Sequence, residues 1–333
     1  MIEEHVIETY EEEREKKGYF STIFSWLGKN VKFLFVPGYI PEDLIKRRQD
    51  YEMLRSKRKF IRRLRSTLTM VGIGLIFTIV TFAVFAPWIA QNSFYDLTSF
   101  FWNAWQAPSG AHPLGTTDYG RDVLGRLVWG ARSSLTIALP ALLFAVFFGI
   151  IVGIVSGYFG GWVDGILMRI MDVFLAFPGI ILILVMITIF GPRMEFFMLA
   201  YGILGVAGYS RLIRGSVLQA KELPYVEAAR VSGAGHWRLI FRHILPNTFQ
   251  PVLISFTFDI GGIILSLAGL SFLGYGDAHL IEWGNDIAIG RFHLYDAPWA
   301  ALWPGFMIVL TVLGFMLLGD GLRDALDPRL KNL

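Results

Sequence analysis

The sequence predicts an all-α membrane protein with six transmembrane helices. Of its 333 residues 54% are hydrophobic, the mean hydropathy is +0.52, and several apolar runs approach the ~20 residues that a helix needs to cross a bilayer. A soluble domain has only about 45–50% apolar residues. The net charge of +3 implies no strong field for nucleic acid, and the lack of cysteine excludes disulfides, thiolate metal sites and a cysteine nucleophile.

Residues 1–65 are predicted to form a cytoplasmic or interfacial region, and residues 66–333 the transmembrane domain. The acidic start does not fit a signal peptide, which needs a basic start and an apolar core. Residues 19–35 have apolar side chains at helical spacing, which predicts a helix that lies in the membrane interface or packs on a partner. The basic residues 42–65 predict a juxtamembrane helix attracted to anionic lipid, with nucleic-acid binding as the poorer alternative.

Six apolar runs follow, and each predicts one membrane-crossing helix. The predicted spans are about 66–89, 135–155, 166–190, 196–210, 248–272 and 299–318. A polar segment joins the first two spans, a tight turn joins the third and fourth, and a polar loop at 274–298 joins the last two. Gly149, Gly153 and Gly157 recur every four residues in the second span, which predicts a helix packed closely on a neighbour.

The placement of lysine and arginine predicts that both termini are cytoplasmic. A basic run precedes the first span, and basic residues also mark the loop between spans four and five: Arg211, Arg214, Lys221, Arg230, Arg238 and Arg242. The loop 274–298 has one arginine and several acidic residues, so it is predicted to lie outside.

The loop between spans four and five contains an ordered polar stretch, VEAARVSGAGHWRLIFRHILPN, at residues 226–247. Most connections in proteins need only about 4–6 residues, so a stretch of this length predicts structure of its own. Residues 222–232 predict a short helix, Gly233 and Gly235 predict a bend, and HWRLIFRHIL predicts a second helix that ends at Pro246.

The spaced pattern of this stretch resembles the EAA loop of ABC-importer permeases. The matching residues are Glu227, Ala228, Ala229, Gly233, Leu245 and Pro246. The resemblance implies a type I permease fold whose loop inserts into a groove of an ATPase subunit and transmits its opening and closing. The residue types suit that role, because the alanines allow close approach, Glu227 can hold a cation and Gly233 permits a bend. The structural alternative is a loop that packs on its own helix bundle.

Other segments are similar to the second permease of dipeptide and oligopeptide importers. HPLGTTDYGRDVLGRLVWGARSSL at residues 112–135 and LLGDGLRDALDPRL at 317–330 carry this resemblance. It implies a cell-membrane location and several partners: a homologous second permease, two ATP-binding subunits, an extracytoplasmic binding protein and membrane lipid. The implied cargo is a di- or oligopeptide, while oligosaccharides of the cello-oligosaccharide type and nickel remain alternatives within the branch.

No nucleotide-binding GxxxxGK[ST] motif and no HExxH metal motif occurs in the sequence. The chain is therefore not expected to be an enzyme or to hold a cofactor or a metal. The resemblance implies that ATP and Mg²⁺ are bound by the partner ATPase subunits.

Two sets of ionisable residues are candidates for function. His112, Asp118, Arg121 and Asp122 could form an acid–base set, a loop fixed by ion pairs, or a contact with the binding protein; the contact is the functional role expected here. Asp259 lies deep in the fifth span and is expected either to face the transport pathway or to pair with the other permease. The scarcity of charge in the spans argues against a stand-alone secondary transporter.

Overall fold

The computed structural model describes residues 64–90, 93–94, 96, 104–277 and 279–326. The predicted interfacial helix at 19–35 and nearly all of the basic segment at 42–65 lie outside these residues. The boundary drawn at residue 65 therefore stays a prediction.

The described residues form a helical bundle without β-strands; an isolated bridge joins Thr116 and Asp122. The helices are α1 (Thr67–Ile89), α2 (Val123–Phe159), α3 (Gly161–Ala176), α4 (Gly179–Phe190), α5 (Met194–Ala220), α6 (Pro224–Val231), α7 (His236–Tyr275), α8 (Trp283–Gly290) and α9 (Trp299–Leu326). Five of them, α1, α2, α5, α7 and α9, are long and apolar enough to cross a membrane, and α3 with α4 makes a sixth span if the pair counts as one. The predicted all-α membrane class is confirmed.

The third span is broken, whereas the sequence predicted one helix over 166–190. The axes of α3 and α4 differ by 80°. Phe177, which precedes Pro178, adopts an extended conformation with φ −92° and ψ 136°. A residue before proline is disfavoured in the helical region, so the chain leaves the helix at this point despite its uniform apolarity.

The second and fourth spans extend beyond the apolar runs that predicted them. The α2 helix begins at Val123, because the Asp122 carboxylate caps it by accepting a 2.7 Å hydrogen bond from the Gly125 N–H. The α5 helix continues to Ala220, so Arg211 and Arg214 lie on a helix and not in a loop. The 37 residues of α2 give it a length of about 55 Å, and its two ends contact different parts of the chain.

Pro246 does not end a helix, contrary to the prediction. Residues Leu239–Ile244 form a π-helical turn, and the helix continues through Leu245 into the fifth span. The Leu245 N–H donates to the carbonyl of Ile240, five residues back, and Pro246 then occupies the first turn of the following α-helical segment. Proline is tolerated there because no intrahelical N–H is needed.

The predicted close packing of the spaced glycines is confirmed between α2 and α5. A Cβ atom built on Gly149 would lie 2.4 Å from Tyr209 Cβ, and one on Gly153 would lie 2.6 Å from the Ser210 carbonyl oxygen. The same atom on Gly157 would lie 2.9 Å from Val217 Cβ. These separations leave no room for a side chain, so the glycines set the distance between the two helices.

Candidate functional site

The EAA segment, defined here as residues 221–247, begins with the short helix α6. Val226 is completely buried and fixes this helix on the bundle, while the neighbouring Glu227 and Ala228 are exposed. Ala229 is partly buried and packs against the core. The helix therefore exposes the glutamate and one alanine of the EAA pattern.

Gly233 ends α6 in a Schellman motif. Its φ is +84°, its N–H donates to the Arg230 carbonyl at 3.0 Å, and the Ala234 N–H donates to the Ala229 carbonyl at 3.1 Å. A residue with a side chain rarely adopts this φ, so glycine is required by the backbone although the space around it is open. The bend predicted at Gly233 has this physical cause.

Large apolar side chains of the EAA segment are exposed. Val231 is 81% exposed, Trp237 69% and Phe241 58%, and the Trp237 and Phe241 rings stack with centroids 5.8 Å apart. Exposed aromatic and aliphatic groups beside charged ones are typical of surfaces that bind another protein. Leu245 is partly buried against the core, and Pro246 is exposed.

Polar contacts join the EAA segment to the membrane-spanning helices. The Tyr158 hydroxyl lies 2.8 Å from His236 Nδ1, and Lys221 Nζ donates to the Gly157 carbonyl at 3.3 Å. Just before the segment, Arg214 on α5 donates two hydrogen bonds of 2.6 Å to Asp164 on α3. Movement of the EAA segment at Lys221 or His236 would therefore act on α2, and movement of the end of α5 would act on α3.

The other end of α2 holds the first predicted set of ionisable residues. His112 Nδ1 lies 3.1 Å from Asp122 Oδ1, and Asp122 is 7% exposed because it caps α2. Arg121 lies over the Tyr119 ring at 4.6 Å, and both Asp118 and Arg121 are partly exposed. Burial and the nearby Arg126 lower the pKa of Arg121. The structure thus gives His112 and Asp122 a structural pairing and leaves Asp118 and Arg121 nearer the surface.

A buried ion pair joins this end of α2 to α8. Arg126 donates from Nε and Nη2 to Asp286 Oδ1 at 2.8 and 2.5 Å, with the two side chains only 4% and 3% exposed. Asp286 Oδ2 is buried and has no hydrogen-bond partner among the described residues. Burial raises the pKa of Asp286, and the Arg126 guanidinium opposes that rise. Because α8 interrupts the predicted polar loop 274–298, this pair holds part of that loop against the bundle.

Two further residues fix α8. The Glu282 carboxylate caps it by accepting 3.1 Å bonds from the Gly284 and Asn285 N–H groups, and Trp283 Nε1 donates to the Leu127 carbonyl at 3.1 Å. Trp283 is completely buried and lies where Gly130 leaves room for its ring. Burial raises the pKa of Glu282, and the two backbone N–H groups oppose the rise.

Asp259 lies on α7 inside the bundle. The Tyr209 hydroxyl of α5 donates to its Oδ2 at 2.5 Å. Both residues line a cavity of about 570 Å³ between α2, α5, α7 and the broken third span. The structure therefore places the predicted intramembrane carboxylate at a cavity.

The Asp164–Arg214 and Arg126–Asp286 pairs were missed by the sequence analysis. Their members are 50 and 160 residues apart, so no local spacing connects them. The only signal in the sequence was an ionisable side chain at the end of an apolar run. Burying such a group costs free energy unless it is paired, so its presence predicts a partner but does not identify it.

The helices define a polytopic helical membrane protein, and comparison with known proteins gives its class. Residues 149–332 match the family of binding-protein-dependent transport system inner membrane components. A dipeptide transport system permease protein of Alkalihalophilus pseudofirmus is 39% identical over 269 residues, which are 80% of this chain and 88% of that protein. A glutathione transport system permease protein of Pectobacterium atrosepticum is 40% identical over 282 residues, which are 83% and 92%.

A probable D,D-dipeptide transport system permease protein of Escherichia coli K12 is 38% identical over 267 residues, covering 79% of this chain and 88% of that protein. The chain belongs to the family of binding-protein-dependent transport system inner membrane components. It is a multi-pass permease subunit of an ABC importer in the inner membrane, a transport component and not a catalytic subunit.

Proposed function

We propose that this permease carries di- or oligopeptides across the inner membrane. The observation that supports this cargo is the similarity, at 38–40% identity over most of the chain, to permeases named for dipeptides, glutathione and D,D-dipeptides. It would form the pathway together with a homologous permease, above two ATPase subunits that bind ATP and Mg²⁺. An extracytoplasmic binding protein would deliver the peptide.

In this proposal the EAA segment faces the cytoplasm and docks on an ATPase subunit. The exposed Trp237, Phe241 and Val231 supply apolar contact area, and the exposed Glu227 supplies a charge for the partner. The excess of lysine and arginine in this segment supports the orientation, with both termini on the same side.

The contacts behind α6 suggest how ATPase movement reaches the spans. Val226 is buried, Gly233 fixes the exit of α6, and Leu245 lies on a helix that runs without interruption into the fifth span. A force applied to α6 and to the start of α7 would therefore be transmitted along α7 into the fifth span. Pro246 is compatible with this continuity because the preceding π turn accommodates it.

At the opposite end of α2, Asp118 and Arg121 are proposed to contact the binding protein. His112 and Asp122 would support that surface from beneath, because they pair with each other and Asp122 also caps α2. The His112–Asp122 pair would in this way hold the shape of the loop surface that carries Asp118 and Arg121.

The cargo is tested by calorimetry. A secreted binding protein encoded beside this permease would be titrated with short peptides and with gluco- and xylo-oligosaccharides. Tight binding of peptides alone is the expected result. Tight binding of sugars alone would contradict the peptide proposal and leave the transport machine as described.

The coupling role predicts a strong effect of Gly233→Ala. The change places a side chain at φ +84°, which costs about 1–2 kcal/mol, so α6 should lose its docking geometry. Peptide uptake by the reconstituted complex is expected to fall about tenfold, since each 1.4 kcal/mol corresponds to a factor of ten. Glu227→Lys, which reverses an exposed charge, should uncouple uptake from ATP hydrolysis in the same assay.

Gly235→Ala is the matched control. Gly235 belongs to the same segment and is equally open, but its φ is −69°, which any residue adopts. This variant should transport like the wild type. Equal transport and equal substrate-stimulated ATP hydrolysis in Gly233→Ala, Glu227→Lys and Gly235→Ala would count against the coupling role.

A further inference from the structure

A single charged residue interrupts the apolar part of α7. Between residues 244 and 275, Asp259 is the only aspartate, glutamate, lysine, arginine or histidine. An ionisable side chain at such a depth is expensive, so its retention calls for a partner or a function. Within the part of the chain that the structure describes, its hydrogen-bond partner is a neutral phenol, Tyr209, which supplies no compensating charge.

Asp259 belongs to a stripe of polar and small residues on one helix face. Ser255, Asp259, Gly262 and Ser266 follow one another at spacings of four, three and four, which places them along a single side of α7. Ser255, Asp259 and Ser266 all line the cavity, and a Cβ on Gly262 would lie 3.9 Å from the Tyr201 hydroxyl. The stripe runs for about 16 Å along the helix axis.

The cavity in front of this stripe is otherwise mostly apolar. Its volume is about 570 Å³, within the roughly 300–1,000 Å³ that is usual for small-molecule sites. Among the described residues Asp259 is the one charged residue that lines it, beside the hydroxyl groups of Tyr201, Tyr209 and the two serines. Sites that orient a small ligand typically have this composition, a mostly apolar wall with a few polar groups.

The chemistry of the carboxylate selects the ligand. Oδ2 accepts the hydrogen bond from Tyr209, a residue that is 4% exposed and fixed in the bundle, and no donor from the described residues reaches Oδ1. A carboxylate that accepts a hydrogen bond and lies at a cavity is a partner for a primary ammonium group, whose positive charge would favour the ionised form of the acid. A peptide with a free amino terminus carries such a group unless its first residue is proline.

We propose that Asp259, oriented by Tyr209, is a station in the pathway that holds the amino-terminal ammonium of a peptide during its passage. The proposal rests on the proposed peptide cargo and adds to it the group that the permease recognises. Ser255 and Ser266 would supply hydrogen bonds to the peptide backbone on either side of that station.

The test uses the complete importer in proteoliposomes with saturating peptide-loaded binding protein. Asp259→Asn keeps the shape and removes the charge. Peptide moved per ATP hydrolysed is expected to fall about tenfold or more, the loss typical of a hydrogen bond to a charged group. Asp259→Glu should recover most of that loss, and Tyr209→Phe, which keeps the carboxylate, should give an intermediate value.

A second readout identifies the ammonium. A dipeptide is compared with its des-amino analogue, each at a concentration that saturates the binding protein. The wild type should move the dipeptide faster per loaded binding protein, and Asp259→Asn should reduce or abolish that preference. Unchanged transport in Asp259→Asn would contradict the proposed role of Asp259. The role would also be contradicted if Asp259→Asn lost transport, ATP hydrolysis and assembly equally and Asp259→Glu did not restore them. If the wild-type importer moves no peptide at all, the peptide cargo itself is wrong, which is a separate result.

Discussion

Replacing Arg126 by methionine should destabilise the permease by about 3–5 kcal/mol, because it leaves the buried Asp286 carboxylate without its counter-ion. The two side chains are only 4% and 3% exposed, so water does not replace the lost partner. Thermal unfolding of the detergent-solubilised complex should show a lower midpoint, and less assembled complex should be recovered.

The double variant Arg126→Met/Asp286→Leu separates the ion pair from the packing around it. Removing both charges should recover most of the loss, since a buried pair replaced by apolar groups of similar size is often neutral. If the double variant is as unstable as Arg126→Met alone, the orphaned charge is not the cause.

The loss of stability caused by Arg126→Met should also depend on pH. Burial raises the pKa of Asp286 in the folded state, and the variant loses the guanidinium that opposes this rise. An acid whose folded-state pKa is raised loses stability as pH rises through that pKa. The gap between variant and wild type should therefore widen as the pH rises above the usual range of a carboxyl pKa.

The features that the sequence predicted correctly have local signals. The span regions follow from the lengths of apolar runs, and the close packing of α2 on a neighbouring helix follows from three glycines at a spacing of four. The break at Pro178 also had a local signal, the Phe177–Pro178 dipeptide. It was overlooked because the run on both sides is apolar, and apolarity alone predicts one continuous span.

The features that the sequence did not predict depend on contacts across the chain. Pro246 was expected to end a helix, and the π turn that carries the helix past it is visible only in the backbone. The partner of Asp259 lies 50 residues away on α5, although the spacing of Ser255, Asp259, Gly262 and Ser266 was readable at helical periodicity. Pro246 and Asp259 were identifiable from the sequence, but the π turn before the proline and the tyrosine that contacts the aspartate were not.

The glycine contact between α2 and α5 predicts a second large effect, for Gly153→Leu. A Cβ at this position would lie 2.6 Å from the Ser210 carbonyl oxygen and 2.7 Å from Ile213 Cβ, before the rest of the side chain is added. Backbone cannot yield as a flexible side chain does, so the helices must separate. The cost should be at least about 3 kcal/mol, at the upper end of what overpacking usually produces.

The matched control is Gly74→Leu on α1, another glycine in a membrane-spanning helix, whose added Cβ meets nothing within 4 Å. This variant gains helix propensity and should unfold close to the wild-type midpoint. Gly153→Leu should yield little assembled complex and a clearly lower midpoint in the same detergent. Because α2 connects the EAA segment at one end with Asp286 at the other, separating it from α5 should weaken both ends together. Wild-type stability in Gly153→Leu would mean that the α2–α5 distance is not set by this glycine.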